Sequence, residues 1–135
     1  MRDNFIQLFP KLKVTSRSEV YAFISNWLYP SQNEKALLIE KALYKREAAG
    51  DIQIDAGVVL PHVESQLVEN SLVAVIRPLV PIKHWHATIE NVDLIIVVLL
   101  APNQSGEAKQ RLVDFMRQLA DGEYLNKLRT MTISD

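Results

Sequence analysis

The strongest constraint on the fold is the apolar run LIIVVLLAP at residues 94–102. A strand made of such a run carries no polar face, so both of its faces must be covered by other parts of the protein. The run is too short to cross a bilayer as a helix, which needs about 20 apolar residues. We therefore expect residues 92–101 to form a strand in the middle of a β-sheet.

Two segments before this strand have the periodicity of amphipathic helices. The segment at residues 16–29 places five large apolar side chains on one helical face: Val20, Phe23, Ile24, Trp27 and Leu28. The segment at residues 31–50 begins with Ser31 and Glu34 in capping-box spacing and ends on Gly50. Both segments are predicted to be helices.

Two further helices are predicted after the central strand. Residues 106–121 place four apolar side chains on one side: Leu112, Phe115, Met116 and Leu119. A short helix is expected near residues 123–129. The helical patterns therefore lie on both sides of the central strand in the sequence.

The remaining apolar segments predict strands at about residues 57–61 and at residues 71–77, with a further edge strand near residues 4–9. No repeat or linker-like stretch divides the 135 residues. We therefore expect one domain over residues 1–135, in the α/β class, as a layered sandwich with a mixed central β-sheet flanked by helices.

Charge and composition argue against several classes of function. The formal net charge of −1, without a basic run, does not favour nucleic-acid binding. Cysteine is absent, which excludes a thiolate nucleophile and a cysteine metal site. The first residues carry Arg2 and Asp3 rather than an apolar signal core, so no membrane insertion is expected. A reducing cytoplasm is compatible with this composition.

The stretch GVVLPHV, residues 57–63, joins an apolar strand to an ionisable side chain. Proline has no backbone donor, so Pro61 is expected to end the hydrogen-bonded ladder and to place His62 at the end of the strand. Ligand crevices of open α/β sheets form there, and a neutral imidazole is a competent nucleophile. The alternative from the residues alone is that His62 only caps the strand by hydrogen bonding a carbonyl.

The wider stretch REAAGDIQIDAGVVLPH resembles the IIA components of the bacterial sugar phosphotransferase system, of the fructose and mannitol type. The matching residues, in order and spacing, are Arg46, Glu47, Gly57, Pro61 and His62. The similarity continues through SLVAVIRPLVPIKHWH, VDLIIVVLLAPN and LADGEYLNKL, and so covers most of the chain.

This resemblance implies that the protein is a cytoplasmic phosphotransferase that needs no cofactor. His62 would accept a phosphoryl group from the histidine phosphocarrier protein and pass it to a sugar-specific IIB component. Arg46 would lie near the phosphate, where its planar guanidinium could bind two oxygens. From the sequence alone, Arg46 could equally be a cation at a helix C-terminus, paired with a glutamate such as Glu47.

Two positions depart from the family pattern. Members commonly carry a second histidine at the start of the helix after the central strand, where Ala108 stands here, so transfer would be slower or would depend on Lys109. Asp55 replaces a common glycine, which is expected to put a carboxylate near the phosphoryl site. Both departures also fit a IIA-like regulatory domain that signals its phosphorylation state by binding another protein.

A second histidine group surrounds Trp85. His84 and His86 would project together from a strand, but no third ligand is identifiable nearby, so no metal site is expected. Trp85 resembles a tryptophan that the family carries between its second and central strands, and a packing role is expected for it.

Overall fold

The computed structural model describes residues 5–132. Its strands are β1 (Ile6–Leu12), β2 (Gln53–Asp55), β3 (Val58–Val59), β4 (His62–Glu64), β5 (Leu72–Pro78), β6 (Ile82–His86), β7 (Ile89–Val92) and β8 (Leu94–Leu100). Its helices are α1 (Arg17–Leu28), α2 (Asn33–Ala49), α3 (Gly106–Gln118) and α4 (Gly122–Thr130). None of these helices is both long and apolar enough to cross a membrane.

Six of these strands form one mixed sheet, in the order β1, β5, β8, β3 and β2, with β4 also paired to β8. β1 and β5 are parallel, β5 and β8 are antiparallel, and β3 and β4 both run parallel to β8. The central position of β8 and the edge position of β1 confirm the two predictions made for these strands.

The two faces of β8 belong to different halves of the core. Ile95, Val97 and Leu99 pack in one cluster with buried residues of α1 and α2. The alternate residues of β8 are Leu94, Ile96 and Val98. They belong to a second cluster, which also contains buried residues of α3 and α4. Because successive side chains of a strand point to opposite faces, the sheet is covered by helices on both sides. The predicted α/β sandwich with a mixed sheet is thus confirmed.

The prediction that Pro61 ends the strand is wrong. β3 and β4 pair with β8 in one continuous register, with Val59 opposite Ile95 and His62 opposite Val98. The Pro61 carbonyl still accepts a hydrogen bond of 2.9 Å from the Val98 amide. Proline lacks the N–H but keeps its acceptor, so it interrupts the ladder without ending it.

Two details of the predicted helices also differ. α2 begins at Asn33, and its N-terminal cap is Gln32, whose carbonyl accepts from the Ala36 amide, so Ser31 lies outside the helix. In α3, Phe115 is buried but Met116 is 38% exposed, because Met116 lies at the margin of the apolar stripe.

The turn between β2 and β3 depends on a glycine. Gly57 has a φ of 76°, in the left-handed region, and a Cβ added there would lie 2.7 Å from Asp93 Oδ1. Asp93 accepts two hydrogen bonds from Arg129 of α4, which also donates to the Ala56 carbonyl. The close approach of Asp93 to this turn therefore leaves room only for glycine.

Candidate functional site

His62 lies near the C-terminal ends of two parallel strands and is partly exposed. Residues opposite each other in paired strands point to the same face of the sheet. Since Val98, opposite His62, packs in the cluster beneath α3 and α4, the His62 side chain leaves β4 on that face. Leu60, two residues earlier on the same face, supplies a carbonyl 3.3 Å from His62 Nδ1.

The structure brings Arg46 and His62 together. Arg46 lies in the last turn of α2, and its Nε–H donates a hydrogen bond of 3.0 Å to His62 Nε2. A guanidinium cannot accept a hydrogen bond, so Nε2 must carry the lone pair. In this tautomer Nδ1 carries the proton and donates its hydrogen bond to the Leu60 carbonyl. The acceptor nitrogen of the imidazole therefore faces the Arg46 guanidinium.

Glu47 does not pair with Arg46, although it is the next residue. Its carboxylate accepts hydrogen bonds from Arg17 Nη1 at 3.1 Å, from the Tyr21 hydroxyl and from Trp85 Nε1 at 3.2 Å. The alternative in which Arg46 pairs with a glutamate such as Glu47 is thus not what the geometry shows. Burial, and then the hydrogen bond to Glu47, raise the pKa of the Tyr21 hydroxyl far above its ordinary value.

The contacts of Glu47 with Arg17, Tyr21 and Trp85 were not predicted from the sequence, which indicated only a packing role for Trp85. Trp85 is 2% exposed, as that role requires, but its indole N–H also binds Glu47. The partners of Glu47 lie 30, 26 and 38 positions away in the sequence. No local pattern connects residues so far apart, so the sequence held no signal that could have predicted their contacts.

The two departures from the family pattern lie in different parts of the fold, Ala108 in α3 and Asp55 in β2. Ala108 is in the first turn of α3, one of the two helices on the His62 face, and its amide donates to Ser105 Oγ. Asp55 lies opposite Val58, and His62 is four residues further along that strand, roughly 13 Å at the rise of a β-strand. The expectation that Asp55 puts a carboxylate near the phosphoryl site is therefore wrong.

The other two histidines lie on the β6–β7 hairpin, which the sequence analysis did not predict. His84 Nδ1 is 3.8 Å from Glu90 Oε1 across the hairpin, and His84 and His86 are both exposed. Within residues 5–132, no three His, Cys, Asp or Glu side chains are grouped in a way that could hold a metal ion.

Comparison with known protein families gives a match over residues 2–135 to the family described as "Phosphoenolpyruvate-dependent sugar phosphotransferase system, EIIA 2". The chain belongs to the EIIA 2 family. The resemblance inferred from Arg46, Glu47, Gly57, Pro61 and His62 is thereby confirmed.

A curated relative of this EIIA 2 chain is the PTS system 2-O-alpha-mannosyl-D-glycerate-specific EIIABC component of Escherichia coli strain K12. The two are 27% identical over 96 residues, which is 69% of this chain and 14% of the relative. The EIIA 2 chain thus matches a small part of a longer protein.

Three solved structures share the fold. The nitrogen regulatory protein IIA-Ntr from Neisseria meningitidis matches with a TM-score of 0.70 and 21% identity, over 96% of this chain and 87% of that one. IIA mannitol from Escherichia coli matches with a TM-score of 0.63 and 16% identity, over 96% of this chain and 91% of that one. A chain in the complex of enzyme IIAMTL with phosphorylated enzyme IIBMTL, also from Escherichia coli, matches with a TM-score of 0.61 and 15% identity. The match covers 96% of this chain and 89% of that one.

Proposed function

We propose that this chain is a cytoplasmic IIA phosphocarrier, formed as one domain over residues 1–135. In this proposal His62 accepts a phosphoryl group from the histidine phosphocarrier protein and passes it to a sugar-specific IIB component. The observation that carries the proposal is the contact between Arg46 Nε and His62 Nε2 at 3.0 Å. It pairs a nucleophilic lone pair with the type of cation that best binds phosphoryl oxygens.

The proposed transfer follows from the protonation of the imidazole. The Nε2 lone pair forms a bond to phosphorus as the N–P bond of the donor breaks, and the donor imidazole keeps the electron pair of that bond. His62 then carries positive charge, and the Leu60 carbonyl beside Nδ1–H stabilises it. Little covalent assistance is needed, because phosphoryl transfer depends mainly on alignment and on neutralising the charge of the oxygens.

Arg46 must change partner during this step. In the resting protein its Nε–H points at the lone pair that attacks phosphorus. When phosphorus takes that position, the guanidinium can turn its N–H groups to the phosphoryl oxygens, which lie next to Nε2. A planar fork with five donors can make this exchange without leaving the site.

A IIB partner is supported by the likeness to the complex of enzyme IIAMTL with phosphorylated enzyme IIBMTL. A regulatory role is the second candidate, and it rests on Ala108. Without a histidine at this position, the first turn of α3 offers no imidazole donor to the phosphoryl group. Phosphorylation of such a domain would then serve mainly as a signal.

The experiment is phosphorylation in vitro with phosphoenolpyruvate and the two general proteins of the phosphotransferase system. We expect one acid-labile phosphoryl group on His62, no labelling of His62→Ala, and full labelling of the exposed control His86→Ala. Labelling of His62→Ala at the rate of the unmodified protein, or a phosphoryl group located on His84 or His86, would contradict the proposal.

A further inference from the structure

A buried carboxylate adjoins the proposed phosphoryl site. The side chain of Glu47 is only 7% exposed, and the residue lies next to Arg46 in the last turn of α2. Its two oxygens accept hydrogen bonds from the side chains of Arg17, Tyr21 and Trp85. We call these four residues, Arg17, Tyr21, Glu47 and Trp85, the Glu47 cluster.

The donors of the Glu47 cluster are themselves held in place by aromatic packing. The Tyr21 ring contacts the rings of Trp85 and Tyr44 edge to face, with centroids 5.6 and 4.9 Å apart. The Arg17 guanidinium lies 5.0 Å from the centroid of the Tyr44 ring. Because Tyr21 is fully buried, its contacts with Trp85 and Tyr44 are shielded from water. The donors to the Glu47 carboxylate are therefore held in place by neighbouring aromatic rings.

The cluster joins three elements at one point. Arg17 and Tyr21 belong to α1, Trp85 belongs to β6, and Glu47 belongs to α2. The last turn of α2 would otherwise be free to fray, since helix ends lack part of their hydrogen bonds and Ala48, Ala49 and Gly50 are exposed. Hydrogen bonds to a charged acceptor are stronger than neutral ones, so the cluster holds this turn at its end.

We infer that Glu47 is a positioning residue: by fixing the last turn of α2, it keeps the Arg46 guanidinium on His62 Nε2. Neighbouring residues of a helix point about 100° apart, so one residue can be anchored to α1 and β6 while the next reaches the imidazole. The effect on phosphoryl transfer rests on the proposed function. The effect on the Arg46–His62 contact does not.

The first test measures that contact directly. In the unmodified protein, nitrogen-15 NMR should show a protected Arg46 Nε–H and a His62 ring with its proton on Nδ1. In Glu47→Gln we expect the Arg46 Nε–H to exchange rapidly with solvent and the two ring tautomers to mix. Trp85→Phe, which keeps an aromatic ring but removes one donor, should give a weaker change of the same kind.

Glu34→Gln is the matched control, because it removes an exposed carboxylate from the other end of α2 and should leave both signals unchanged. Signals identical to those of the unmodified protein in both Glu47→Gln and Trp85→Phe would overturn the inference. If Glu47→Gln does not fold, Trp85→Phe decides by the same criterion.

The second test asks whether Glu47 acts through Arg46. We expect Glu47→Gln to slow phosphorylation of His62 by about tenfold to a hundredfold, since misplacing a positioning group by about 1 Å can cost a reaction about a hundredfold. In an Arg46→Lys background the same change should have less than about a twofold effect, since coupled residues are not additive. An equal slowing in both backgrounds would overturn the inference and leave Glu47 a purely structural residue.

The two proposals fail in different ways. An unmodified protein that takes up no phosphoryl group would contradict the proposed function, while the NMR comparison would still decide whether Glu47 positions Arg46. A protein that is phosphorylated normally and keeps its Arg46–His62 signals in the Glu47 cluster variants would contradict the positioning role alone.

Discussion

His62 and Arg46 bring a lone pair and a fixed positive charge to one point on the surface of the sheet. The 3.0 Å contact leaves Nε2 as the acceptor, and the 3.3 Å contact of Nδ1 with the Leu60 carbonyl keeps the proton on the far side of the ring. The ring is thus oriented and in the correct tautomer before any donor arrives. In the proposed transfer, Arg46 has still to exchange this lone pair for the phosphoryl oxygens, while the ring keeps its orientation.

The choice of arginine over lysine at residue 46 is open to test. Arg46→Lys keeps a cation in the last turn of α2 but loses the planar fork that can hold two phosphoryl oxygens. We expect His62 to be phosphorylated at least about tenfold more slowly, which corresponds to roughly 1.4 kcal/mol of transition-state stabilisation. The rate would be measured with the general phosphotransferase proteins under single-turnover conditions.

Arg117→Lys is the control for this variant, since Arg117 is an exposed arginine in the last turn of α3. It should be phosphorylated at the normal rate. Equal rates for Arg46→Lys and the unmodified protein would show that Arg46 acts only as a cation at the helix C-terminus and does not bind the phosphate.

At the scale of the elements, the sequence predicted the parts of the fold that have a local cause. β8 was predictable because Leu94 and the residues after it are apolar on both faces. The β6–β7 hairpin was not, because its register shifts between His84 and His86 and breaks the alternation of buried and exposed residues. The continuation of the strand through Pro61 was also missed, since it depends on a carbonyl contact with Val98 in a distant strand.

The same distinction applies to the candidate site. Arg46 and His62 were identified by their resemblance to a family pattern within one short stretch of sequence. The Glu47 cluster could not be identified in this way, because Arg17 and Trp85 reach the carboxylate from elements on either side of α2 in the sequence. Contacts of this kind arise only when the elements pack together.

The turn that joins β2 to β3 provides a prediction about an element. Gly57→Ala forces a side chain into a left-handed backbone conformation and brings its Cβ against Asp93. We expect a loss of about 1 to 3 kcal/mol in the free energy of unfolding, from the strain together with the displaced Asp93–Arg129 pair. Urea unfolding followed by circular dichroism would measure it.

Gly122→Ala provides the comparison for this loss, because a Cβ added at Gly122, at the start of α4, meets nothing within 4 Å beyond its chain neighbours and the backbone of its own helix. Its stability should equal or slightly exceed that of the unmodified protein, since alanine is favoured over glycine in helices. A Gly57→Ala variant as stable as Gly122→Ala would show that Asp93 can move away without cost.

At the scale of the whole molecule, the two layers of helices make different contributions to the site. α2, on one side of the sheet, supplies Arg46, and its last turn is held by α1 and β6. α3, on the other side, packs through Phe115 on the face to which Val98, the residue opposite His62, belongs. In the proposed function the phosphoryl group therefore has a donor from the first layer, whereas Ala108 of the second layer stands where the family resemblance led us to expect a histidine.

This asymmetry separates the transport and regulatory candidates. If Ala108 marks a loss of transition-state support, phosphorylated His62 should form but pass its phosphoryl group slowly to a IIB partner. Ala108→His restores a donor at the first turn of α3, and we expect it to accelerate that transfer by about tenfold to a hundredfold, each decade being about 1.4 kcal/mol. The transfer would be followed by quenched-flow measurement of the phosphorylated IIB protein, with Gln110→His as a control at an exposed position two residues further along the same helix. Rapid transfer by the unmodified protein, with no gain from Ala108→His, would favour sugar uptake. Slow transfer rescued at residue 108 and not at residue 110 would favour a signalling domain, in which the phosphoryl group remains on His62 long enough for another protein to detect it.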